Sequence, residues 1–136
     1  MLTPDQIVNK MMAQDQMSQW LGIEIINIKK GAVELKLIVK SVMLNGFHIA
    51  HGGITYSLSD TCMAFSSNTH GNQAVSVESS ISHHKAVQLG DILTTHIEEI
   101  SLSKKFGVYL IKIYSQNNDL VSSFKGTMYF RSSVWI

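Results

Sequence analysis

The sequence holds one cysteine and one proline, and neither sign of charge prevails in it. With Cys62 alone, no intramolecular disulfide can form, so the fold must stand on its core. The thiol sits in an apolar stretch, which reads as a reduced, packed side chain. Eleven basic against ten acidic residues give a net charge of +1, no general reason to expect nucleic acid or an anionic membrane as partner. No apolar run approaches the roughly 20 residues of a membrane span. The N-terminal "MLTPDQIVNKMMAQDQ" lacks the basic start and apolar run of a secretory signal. Low-complexity tracts and internal repeats are also missing. What is present, 45% hydrophobic residues in 136, fits a single cytoplasmic domain spanning 1–136 with one core.

Thr3 can cap a helix with Pro4 at its first position, and the helical pattern runs on to Gly22, with Ile7, Met11, Met12 and Trp20 on its apolar side. This makes 1–21 an N-terminal helix packed on the domain. "IEIINIKKGAVELKLIVK" then reads as two strands joined at Lys29-Lys30-Gly31. In the second, Val33, Leu35, Leu37 and Val39 alternate with Glu34, Lys36 and Lys40. A loop from about Ser41 to His51 leads to a long helix over 52–69. Four strands follow: "QAVSVESSISHH", "DILTTHIEEISLS", "KKFGVYLIKIYSQ" and "LVSSFKGTMYFRS", the last two flanking the hairpin signal Asn117-Asn118-Asp119. Strand pairs without helical crossovers imply an antiparallel sheet. One long apolar helix against about six strands implies an α+β fold whose curved sheet wraps that helix.

At 100° per residue, Ile54, Leu58, Cys62 and Phe65 form the core stripe of the long helix. Asp60 falls on another side, with Gly53, Tyr56, Ser57 and Ala64. A mid-helix aspartate is ordinarily a solvated surface residue. Here it is the one charged group between Gly52 and Thr69, and the segment carries no Lys, Glu or Gln, so the pattern points to function. Gly52 and Gly53 can serve a tight turn or a close approach. They can equally leave unpaired N–H groups at the positive end of the helix dipole, where a carbonyl oxygen gaining charge would be held. Gly52 and Asp60 lie about 12 Å apart along an ideal helix. A base and an oxyanion donor must both approach one carbonyl carbon, so these two can meet only across a symmetric dimer.

The stretch "LNGFHIAHGGITYSLSDTCMAF", together with "SKKFGVYLIKI" and the element order, resembles the PaaI-type acyl-CoA thioesterases of the hotdog-fold superfamily. The likeness covers most of the chain after Trp20 and is most specific from Asn45 to Asp60. It implies a hotdog fold, a homodimer or homotetramer built as a dimer of dimers, and hydrolysis of an acyl-CoA, with phenylacetyl and hydroxyphenylacetyl groups among the candidates. CoA would be part of the substrate, and no cofactor or metal is implied. Asp60 would be general base or nucleophile, and the Gly52 amide would polarise the carbonyl. Asn45 would position the acyl group or water, His51 would support the turn or contact the carbonyl, and Ser76 would help hold the water. Gly53, Tyr56 and Phe47 are candidates for the acyl-binding surface. Ser82 and Ala86 stand where relatives commonly carry an acid and a proline.

The chemistry agrees if Asp60 keeps an ordinary carboxylate pKa, since it is then ionised at neutral pH and can take a proton from water or attack directly. A thioester is an activated acyl donor and requires no metal. The six histidines, His48, His51, His70, His83, His84 and His96, lack the thiolate or carboxylate companions and spacing of a zinc site. Lys85, Lys104, Lys105 and Arg131 are candidates for the CoA phosphates, though solvated surface charge explains each as well. Two alternatives share this reading: an enoyl-thioester hydratase or dehydratase of the same fold, with His51 transferring a proton, and a non-catalytic acyl-CoA-binding module.

Overall fold

The computed structural model describes residues 1–136. In chain order the elements are α1 (Pro4–Gln14), α2 (Gln16–Leu21), β1 (Glu24–Lys29), β2 (Ala32–Ile38), a single 3-10 turn (Ser41–Met43), α3 (Gly52–Asn68), β3 (Asn72–His83), β4 (Ile92–Leu102), β5 (Phe106–Tyr114) and β6 (Leu120–Val134). No helix is long and apolar enough to cross a membrane.

The N-terminal segment departs from expectation. Thr3 does cap α1: its hydroxyl accepts from the Gln6 amide at 3.2 Å while its own amide donates to the Gln6 side chain at 2.9 Å. The helix then breaks at Asp15 instead of running to Gly22. The Asp15 carboxylate accepts from the Ser18 amide at 2.9 Å and the Ser18 hydroxyl at 2.7 Å, capping the separate helix α2. That break turns Ser18 and Leu21 inward and leaves Trp20, expected on the apolar side, 65% exposed. Ile7 and Val8 carry the buried face of α1.

All six strands pair antiparallel in the order β1-β2-β4-β5-β6-β3. The expected stripe of α3 is buried against the sheet, as are Val33, Leu35, Leu37 and Val39 of the second strand segment. Asn118, at φ 62°, makes the tight β5–β6 turn that its neighbours signal. The concave sheet comes so near α3 at Gly126 that a methyl group there would run into the Met63 thioether. This is the hotdog architecture.

Where the sheet bends round the helix, β2 leaves β4: the two pair only over Lys36–Ile38 and Ile92–Thr94. The β2 backbone groups stranded by that divergence are bonded by side chains. Val33 N–H donates to the Ser66 hydroxyl at 2.9 Å, Leu35 N–H to Thr95 at 2.9 Å, and Gly31 N–H, just before β2, to Thr69 at 2.7 Å. The Cys62 thiol donates to the Val33 carbonyl at 3.2 Å, and burial pushes its pKa up to about 12, so it is inert. Polar residues in a buried helix are thus explained as substitutes for a missing sheet ladder.

Two serines of α3 should therefore respond oppositely to the same change. Ser66→Ala strands the buried Val33 N–H and should cost about 1–3 kcal/mol. Ser59 is fully buried and its hydroxyl has no partner, so Ser59→Ala should stabilise by about 1 kcal/mol through relief of that hydroxyl and better helix propensity. Urea denaturation of both variants reads the two signs directly.

Candidate active site

The start of α3 is set by His51. Its imidazole Nδ1 accepts the Gly53 N–H at 2.8 Å, and its carbonyl receives the Ile54 N–H at 2.9 Å. The His51 amide itself donates to the Met43 carbonyl and the Ala50 amide to the Val87 carbonyl, both at 2.8 Å. The Gly52 amide, at the first helical position, then has no acceptor in the chain. The two adjacent glycines are not equivalent: Gly53, expected to face the acyl group, has its amide closed by His51.

Asn45 shapes the loop in front. Its side-chain oxygen accepts from the Phe47 amide at 2.9 Å and more loosely from Ile49 at 3.4 Å, while its backbone N–H reaches the Ile49 carbonyl at 2.8 Å. His48 occupies the left-handed region at φ 61° to complete the turn. The Asn45 side-chain NH2 has no partner in the chain, and Asn45 lines a cavity of about 340 Å³ with Ile49, Ala50, Gly52, Thr55 and the segment from His83 to Val87. Gly52 and Asn45 thus meet in one cavity.

The other expected residues lie elsewhere in the protomer. Asp60 sits two turns along α3, partly exposed and outside the cavity wall. Ser76 is exposed on β3. The Tyr56 ring packs edge-on against Phe124 with centroids 5.4 Å apart, and its hydroxyl bonds Ser79 at 2.5 Å. Phe47 projects from the loop tip, 85% exposed. Lys85, a candidate for the CoA phosphates, lines the cavity but pairs with Asp119 at 2.6 Å. Sequence reasoning missed Thr55 and weighed His83 and His84 only as metal ligands. Their one available signal was position, at the end of a strand that pairs along the sheet edge nearest the helix start. No three His, Cys, Asp or Glu side chains converge anywhere in the fold.

Asp60 is also not the ordinary carboxylate expected. Partial burial raises its pKa, and the negative charge of Asp15, capping α2 nearby, raises it further. No hydrogen bond lowers it within the chain. The result is a carboxylate with increased affinity for a proton and no hydrogen-bond partner within the chain.

The chain as a whole resembles known proteins. The family model of the thioesterase superfamily matches residues 47–122. The acyl-coenzyme A thioesterase PaaI of Escherichia coli is 34% identical over 121 residues, 89% of this chain and 86% of its own length. The solved E. coli PaaI protein, from the phenylacetic acid degradation operon, superposes with a TM-score of 0.94 at 31% identity, covering 96% of this chain and 95% of that one. A thioesterase protein of Streptococcus pneumoniae solved with coenzyme A superposes at 0.86 with 27% identity, covering 93% of this chain and 98% of its own. The chain belongs to the thioesterase superfamily, as a PaaI-type thioester hydrolase of the hotdog fold.

Proposed function

We propose that this protein hydrolyses an acyl-CoA thioester to the free acid and CoA, with phenylacetyl-type groups the first candidates, at sites shared between two protomers. The observation that carries the reading is the split of the machinery along α3. Gly52, its amide unclaimed, lines the cavity, and Asp60 lies about 12 Å further along the helix and outside it. A two-fold partner supplies the missing carboxylate. The strand edge of β3 is free on one side and exposes Val75 at 47% and Val77 at 56%, apolar surface that a second copy can cover.

In this reading the thioester carbonyl oxygen accepts the Gly52 N–H while Asp60 from the other protomer takes a proton from water. The hydroxide so formed adds to the carbonyl carbon, and negative charge collects on the oxygen at the helix start. The carbon–oxygen double bond re-forms as the carbon–sulfur bond breaks, and the departing thiolate receives the proton held by Asp60. Asn45 orients the acyl group or the water. His51 holds the turn through Gly53. If Asp60 instead attacks the carbon, an anhydride precedes hydrolysis.

Three sets of measurements test this, the first on Asp60→Asn. Asp60→Asn should lower kcat by about 10²–10⁴-fold on phenylacetyl-CoA. The same variant should melt roughly 1–4 °C higher at pH 7–8. The sign follows because the folded state binds this proton more tightly than the unfolded chain does. Stability is therefore lost as pH rises through the raised pKa, and the neutral amide escapes that loss, so its advantage should shrink toward pH 4. Second, Asp60→Asn and Gly52→Val, each inactive alone, should recover roughly a quarter of wild-type activity when refolded together, one intact site in each mixed dimer. A mixture that stays inactive would place both groups in one chain. Third, single turnover in labelled water separates base from nucleophile: a first acid released with neither oxygen labelled means attack by Asp60, whereas direct attack by water labels one of the two.

A further inference from the structure

β3 ends at His83, opposite Ser122 of β6, and this brings an imidazole beside the first residue of α3. A methyl group on Gly52 would lie 3.1 Å from His83 Nε2 and 3.5 Å from Cε1, so that edge of the ring faces the helix start. The other nitrogen, Nδ1, is 3.3 Å from the hydroxyl of Thr55, a buried side chain that donates its hydrogen to the Gly52 carbonyl at 3.2 Å and can turn it to Nδ1 instead. When that hydroxyl turns its single hydrogen to Nδ1, the ring's own hydrogen is left on Nε2. No protein group accepts it. Among the polar residues that line the same cavity are Asn45, Thr55, His84 and Lys85, and no carboxylate is with them.

With the Thr55 hydrogen on Nδ1, His83 becomes an N–H donor beside the unclaimed Gly52 amide, and both residues line one cavity. A surface histidine that merely ended a strand would need neither the threonine behind it nor the glycine before it. Donors arranged in this way suit an oxygen that gains negative charge. We propose that His83 is a second hydrogen-bond donor to the carbonyl oxygen of the thioester, oriented by Thr55 as a positioning residue. The inference rests on the acyl-CoA reading above and adds a residue to it. It also gives Gly52 a second reason to lack a side chain: any Cβ would press on the ring that shares its ligand.

The test compares wild type, His83→Phe, His83→Gln, Thr55→Val and Asp60→Asn in steady-state hydrolysis of phenylacetyl-CoA. Phenylalanine keeps a ring and removes the donor, so kcat should fall roughly 10–100-fold, with KM within about 3-fold. Glutamine restores an N–H near the Nε2 position and should recover most of that loss, which a purely structural role would not allow. Thr55→Val should lower kcat by a smaller factor and leave KM in place. An unchanged kcat in His83→Phe, a loss confined to KM, or a glutamine variant as poor as the phenylalanine one overturns the inference while leaving the parent reading intact, provided Asp60→Asn is inactive. A wild type inert toward a panel of acyl-CoAs, or a fully active Asp60→Asn, overturns both.

Discussion

The architecture depends on how the protein satisfies the backbone of β2 after it parts from β4. A sheet that curves far enough to enclose a helix must open somewhere, and each amide exposed by the opening lies in the core, where water cannot reach it. Ser66 and Thr69 answer from the helix and Thr95 from the neighbouring strand. These bonds do more than fill a gap. They pin the C-terminal half of α3 to β2, while Gly126 and Met63 set its approach to β6 on the other side. With its rotation and depth fixed at that end, the helix can present its N-terminus at the mouth of the sheet without a full set of backbone partners.

At that mouth the same logic is applied in reverse. A helix start has several amides to satisfy, and side-chain caps usually take what they can. Here His51 closes Gly53 and leaves Gly52 open. One residue's imidazole thus decides which of two neighbouring glycines can meet a ligand. The cavity in front is built from a loop folded on Asn45 and from the end of β3, two segments far apart in sequence, so its shape is a property of the sheet order.

That distinction explains what could be read in the residues beforehand. The alternation of Val33, Leu35, Leu37 and Val39 and the helical stripe through Leu58 and Cys62 are local periodicities, and they report burial without knowledge of the fold. Asp60 stood out because a lone charge in an apolar segment is a local anomaly. The break at Asp15 was hidden because aspartate is compatible with a continuing helix until its carboxylate finds Ser18. Thr55 looked like any helical threonine and His83 like a strand terminus, since what joins them is the return of β3 along α3. The raised pKa of Asp60 was equally invisible: it comes from burial and from Asp15, which reaches that neighbourhood only after the N-terminal segment has docked.

Asp15 is consequently a residue with two masters. It secures the small helix α2, and its charge bears on a carboxylate it never touches. Serine or asparagine can cap a helix as well as aspartate does, yet carry no charge. The acidity of Asp60 thus has a dial that sits on a peripheral segment, away from the residues of the cavity wall.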